Sequence, residues 1–222
     1  EWFNSPHAIA ANTVFFTLLG MMVALPIFNS AGNREYQNGF QEILFSTPIS
    51  KSQFFFGRFL GALCLLLIPG ILFFGLNILG VQIGLQTGQI LADEIGPFRL
   101  MPYLKTFFYI ILPNIFIVGG IVFALAVHFK NIGFSILGAI VLNAFYLMAL
   151  YGFGTDINHF WIGALIDPFG EFAFGVDTRY YTVLERNTMD ISLSGHLLKN
   201  RLLWLLLSGI LLGLTYWKFS FQ

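Results

Sequence analysis

Charge is what this sequence has least of. Its 222 residues include eleven Lys and Arg and eleven Asp and Glu, a charged fraction of 10% with a net charge of zero. A chain with no net field has no electrostatic footprint for nucleic acid, and no nucleic-acid partner is expected. Cysteine is almost missing: Cys64 stands alone, which excludes an intrachain disulfide. The histidines, His7, His128, His159 and His196, are scattered and none sits in H-E-x-x-H, so no zinc-hydrolase site and no metal site is expected. There is no G-x-x-x-x-G-K-S/T loop, which leaves the chain without the usual phosphate cradle for ATP. The opening residues, Glu1-Trp2-Phe3-Asn4-Ser5, carry no basic stretch before a short apolar core and do not read as a signal peptide.

What fills the space is apolar. Hydrophobic residues make up 57% of the chain and 27 residues are phenylalanine, more than one water-soluble core of this size can hide. Five windows, 9–28, 60–79, 107–127, 132–153 and 202–217, are nearly free of charge, and about 20 apolar residues suffice to cross about 30 Å of hydrocarbon. The last is the shortest, but Lys199, Arg201 and Lys218 flank it and are expected to snorkel to the interfaces, with Trp204 and Trp217 as interfacial anchors. Continuous runs, rather than short stretches of alternating polarity, exclude a membrane barrel. The expected fold is all-α: one polytopic membrane domain with about five transmembrane helices, an amphipathic helix in 34–53 and a partly helical segment over 154–200.

No Asp, Glu, Lys or Arg lies deep in any window, which argues against a proton relay or an ion-coupled pump. The windows also lack paired carboxylates, a His cluster or a Ser-His-Asp set, so no enzyme activity is expected of this chain. Their polar residues include Asn12, Thr17, Asn114 and Asn143. These either line a path for a large amphipathic cargo or make hydrogen bonds between helices. Pro69 and Pro113 are expected to kink their helices, and the G-x-x-x-G spacings at Gly57/Gly61 and Gly209/Gly213 suit close helix contact.

Five crossings put the two ends of the chain on opposite sides. Arg34, Lys51, Arg58, Lys130 and Lys218 then share one side, and Arg99, Lys105, Arg179, Arg186, Lys199 and Arg201 the other. Short loops count for more than long ones, which tilts the first group toward the cytoplasm.

The segment 34–51 reads R-E-Y-Q-N-G-F-Q-E-I-L-F-S-T-P-I-S-K. Tyr36, Phe40, Ile43 and Leu44 fall on one helical face, with Glu35, Gln37, Asn38, Gln41 and Glu42 on the other, the pattern of a helix lying flat on a membrane surface. Thr47-Pro48 breaks it, and Ser50 to Gln53 reads as a capping box that restarts the chain as the second span. By periodicity alone this is equally a plain interfacial linker.

The order of a span, Arg34-Glu35, Gly39, an amphipathic stretch, Thr47-Pro48-Ile49-Ser50 and Phe56-Gly57-Arg58 resembles the type-2 ABC exporter permeases. Many members of that family have Gly-Thr where this chain has Gly39-Phe40. A closer resemblance, covering nearly the whole chain, is to a bacterial subgroup whose permease helices are fused to a zinc aminopeptidase domain. It rests on Asn4-Ser5-Pro6, Phe56-Gly57-Arg58-Phe59, Gly96-Pro97-Phe98-Arg99-Leu100, Asp167-Pro168-Phe169-Gly170, Thr178-Arg179-Tyr180, Glu185-Arg186-Asn187-Thr188 and Asn200-Arg201-Leu202-Leu203-Trp204.

The resemblance implies a transmembrane exporter subunit of a bacterial inner membrane, moving an unidentified cargo. Its amino end would lie outside and Gln222 inside, and a first helix would precede Glu1. It implies that Arg34, Glu35, Gly39, Phe40, Glu42, Thr47, Pro48, Ile49 and Ser50 form a coupling helix docking on a cytoplasmic ATP-binding subunit, which carries ATP and Mg. A second permease half, identical or different, would pair with this one. The segment 154–200, with Asp167, Pro168, Phe169, Gly170, Thr178, Arg179 and Tyr180, is either an outer gate or a folded loop that holds the bundle together, Arg179 then being paired to an acid. A membrane anchor for the fused peptidase, transporting nothing, is the alternative function.

Overall fold

A computed structural model describes residues 1–39, 48–154 and 157–220, and among these there is no strand. The helices, in chain order, are α1 (Pro6–Gln37), α2 (Lys51–Gln86), α3 (Met101–Phe129), α4 (Ile132–Gly152), α5 (Phe160–Ile166), α6 (Glu171–Asp177), α7 (Val183–Thr188) and α8 (Gly195–Lys218). Five of them, α1 to α4 and α8, are long and apolar enough to cross a membrane; the shortest has 21 residues, about 30 Å at 1.5 Å per residue. Phe15, Met22, Leu76 and Leu206 leave 60% or more of their surface uncovered. Lipid is the solvent that tolerates such faces. The chain is an all-α membrane helix bundle.

Helix boundaries follow local chemistry. Ser5 caps α1 by accepting from the Ala8 N–H, with Pro6 at the first helical position. Ser50 and Gln53 form the expected capping box of α2. The spans run past the apolar windows. Residues 34–37, read as the start of an amphipathic helix, are the last turn of α1, and α8 begins at Gly195 rather than near 202. Helical hydrogen bonding continues through polar residues that packing supports, which a hydropathy window does not register.

Central α3 buries 72% of its most apolar window, whereas the other four bury 22% to 33%. Its glycines explain the close packing. A side chain on Gly119 would overlap the Phe28 ring of α1, and one on Gly120 would overlap the Ser208 hydroxyl of α8. Gly32 is likewise pressed on Ala126, 2.9 Å from where its own Cβ would sit. The G-x-x-x-G pairs expected to do this, Gly57/Gly61 and Gly209/Gly213, have open space around them instead. One π-helical turn, Phe107–Ile111, precedes Pro113, where the missing N–H interrupts the helical ladder; a second spans Met148–Gly152 at the end of α4. Between α3 and α4 the chain reverses in two residues, Lys130 in the left-handed region at φ 52° and Asn131 capping α4 through the Gly133 N–H.

The short helices α5 to α7 and residues 1–5 gather at one end, the cap face. Asn4 exchanges two hydrogen bonds with Gly96, and the Trp2 N–H donates to Asn187. The opposite end carries Arg34, Lys51, Arg58, Lys130 and Lys218 and is the basic face.

Candidate functional site

Two arrangements of polar groups stand out, one beneath the cap and one at the basic face. Beneath the cap, Arg201 lies in the second turn of α8 and is only 2% exposed. It does not snorkel, contrary to its position beside an apolar run. Its Nη1 donates to Asn114 Oδ1 at 2.6 Å, and its Nη2 and Nε donate to Asn200 Oδ1 at 2.7 and 3.1 Å. The Asn200 amide donates to the carbonyls of Ala164 and Asp167, and that of Asn114 donates to Thr17 Oγ1 and the Phe169 carbonyl. One buried cation thereby joins α1, α3, α8 and the 164–170 turn. Gly170, at φ 79°, packs directly on the guanidinium, which would collide with any Cβ there. Trp204, expected at an interface, is buried and donates to the Leu165 carbonyl; Trp217 is 75% exposed.

Asp167 is fully buried close to this network. Its two oxygens accept the Phe169 and Phe172 N–H groups, both at 2.8 Å. Burial pushes its carboxyl up to about 6, opposed by those two N–H bonds and by the charge of Arg201. A folded-state value above the ordinary 3.8 means that folding favours the protonated form. The contribution is full below about pH 4 and is lost as pH rises through about 6. The melting temperature of the purified protein should fall between about pH 4 and pH 6, and Asp167→Asn should flatten that slope. An unchanged slope in the variant would assign the titration to another group.

The residues expected at an outer gate divide. Asp167, Pro168, Phe169 and Gly170 form the buried turn just described, and Thr178 is buried, donating to the Phe174 carbonyl. Arg179 and Tyr180 are on the surface, Arg179 stacked 4.4 Å over the Phe160 ring. The candidate path residues divide too. Thr17 and Asn114 meet at one wall of an otherwise apolar cavity of about 160 Å³ between α1, α2 and α3. Asn12 is exposed on the outside of the bundle, and Asn143 donates to the Ala139 carbonyl of its own helix.

At the basic face, Arg34, Glu35 and Gly39 close the first described stretch, and Pro48, Ile49 and Ser50 open the next. Phe40, Glu42 and Thr47 lie outside the described residues. Glu35 was expected on a solvated helical face; it is 5% exposed and ion-paired to Arg58, bolting the end of α1 to the start of α2. Arg34 lies 3.6 Å from the same carboxylate with 60% of its side chain exposed. Lys130 sits 3.9 Å over the Tyr36 ring, and Lys51 donates to the Trp217 carbonyl. Cap-face cations are matched differently: Arg99 and Lys105 both pair with Asp190, and Arg186 pairs with Glu1.

Sequence reasoning missed two residues of the cap network, Asn200 and Arg201, as functional groups. Their signal was an adjacent amide and cation at the mouth of an apolar run, with Asn114 the one polar amide in a facing span. Compared with known proteins, the chain matches no family model, no curated protein and no solved structure.

Proposed function

We propose that this chain is the transmembrane subunit of a type-2 ABC exporter, set in a bacterial inner membrane with its basic face in the cytoplasm. ATP with Mg is bound and hydrolysed on a separate subunit, and a second permease half completes the pathway. The observation that carries this reading is the junction of α1 and α2. Both helices reach the basic face, are joined there by residues 38–50, and are held together by the Glu35–Arg58 pair beside that connection. A push on 38–50 is therefore delivered to two spans at once. A partner whose affinity for the connection differs between two arrangements of the bundle shifts their balance by that difference.

Charge supports the orientation. Lys and Arg in short connections count for more than those in long ones: the basic face carries Arg34, Lys51, Arg58, Lys130 and Lys218, whereas Arg179, Arg186 and Lys199, half of the six cations on the cap side, belong to the long 154–200 segment. In a Cys64→Ser background, Tyr180→Cys is expected to react with an impermeant maleimide on intact cells, and Ser52→Cys only after permeabilisation. The reverse pattern would place the basic face outside.

The proposal is tested by purifying the full-length protein from its native membrane and asking whether an ABC ATPase accompanies it. A stoichiometric ATPase is the expected result. A bundle that carries only a peptidase domain, with no ATPase, would favour the anchor.

A further inference from the structure

We infer that the groove between α1 and α2 at the basic face binds one anionic phospholipid, with its phosphate at Arg34 and Arg58 and the upper part of an acyl chain against Ala31, Gly57, Gly61 and Leu65. The site needs neither the ATPase nor a cargo, and rests on the proposed function only for the cytoplasmic placement of the basic face.

The groove encloses about 430 Å³. Both arginines stand at its mouth, and Leu65 lies two turns deeper, about 10 Å along the helix axis. From the face inward, the lining thus changes from cationic to apolar, the order in which a phospholipid presents phosphate and chain. Neither Gly57 nor Gly61 has any atom within 4 Å of where a Cβ would be, so the chain does not fill this wall itself. Both glycines, Leu65 and Arg34 are exposed.

Charge decides the occupant. Glu35, buried behind the mouth, neutralises one of the two arginines and leaves a net positive charge. The rest of the basic face adds Lys51, Lys130 and Lys218 and, among the described residues, no further carboxylate. Basic pockets between spans on the cytoplasmic side suit anionic head groups. A second copy packed here about a two-fold axis would set Arg34 and Arg58 against their own images at low dielectric, which is repulsive.

The test is native mass spectrometry of the full-length protein released from nanodiscs of phosphatidylcholine with phosphatidylglycerol, paired with melting curves in detergent plus each lipid or glycerol phosphate. One phosphatidylglycerol should be retained in preference to phosphatidylcholine and should raise the melting temperature, while glycerol phosphate should do neither. Arg34→Gln should weaken retention about five-fold, the effect of one basic residue at an anionic surface. Gly61→Leu keeps both arginines, sets its Cβ in open space, and should abolish the preference. Arg58 is left intact because its loss would strand buried Glu35.

Equal retention of the two lipids, or retention unaltered by both variants, would overturn the inference. Stabilisation by glycerol phosphate equal to that by lipid would assign the site to a free anion instead. Efficient disulfide formation between two copies of Gly61→Cys, in a Cys64→Ser background and anionic lipid, would assign the groove to a second copy.

Discussion

Replacing Arg201 with Met is expected to cost about 3–5 kcal/mol of stability, the range for removing one partner from a buried charged network. The loss has three sources. Asn114 Oδ1 and Asn200 Oδ1 forfeit their donors, the Asp167 carboxylate loses its compensating cation, and Gly170 loses the surface on which its turn rests. Each amide oxygen left dry adds its own desolvation penalty of about 1–3 kcal/mol. Arg201→Lys is expected to recover little, because one ammonium cannot reach Asn114 and Asn200 with the spread of a guanidinium. Thermal unfolding in mild detergent, followed by retention of a monodisperse elution peak, reads the effect. A variant as stable as wild type would show that the network contributes nothing to the bundle.

How such a residue escaped the sequence can be stated physically. The five spans were legible because lipid imposes one simple demand, about 20 apolar residues without charge. The cap of α2 was legible because Ser50 and Gln53 act within one helical turn. Arg201 was not, because a cation beside an apolar run has two outcomes, and the choice depends on Asn114, 87 positions earlier in the chain. Glu35 is the same case, since only the approach of Arg58 turns a surface glutamate into a buried strut. Asp167 to Gly170 did read as a unit and forms one, whereas Arg179 and Tyr180 are bound to the same stretch of sequence but not to the same site.

Burial of Glu35 also changes which residues report on coupling. A charge reversal there would damage the α1–α2 junction before it touched a partner. Phe40 and Glu42, from the apolar and polar faces of the expected coupling helix, are better probes. The double variant Phe40→Asp, Glu42→Lys is expected to fold, with unchanged helicity and elution, and to lose ten-fold or more of its affinity for the ATPase, which is about 1.4 kcal/mol or more. Unaltered affinity in the folded variant would remove the 38–50 connection as the docking element.

The most direct measurement of the exporter reading is ATP turnover by the co-purified ATPase in proteoliposomes, with and without the full-length protein containing this chain. Turnover stimulated by the wild-type bundle, and falling to the level of the ATPase alone with Phe40→Asp, Glu42→Lys, is the predicted result. Turnover indifferent to the presence of the bundle would contradict it and leave a membrane anchor.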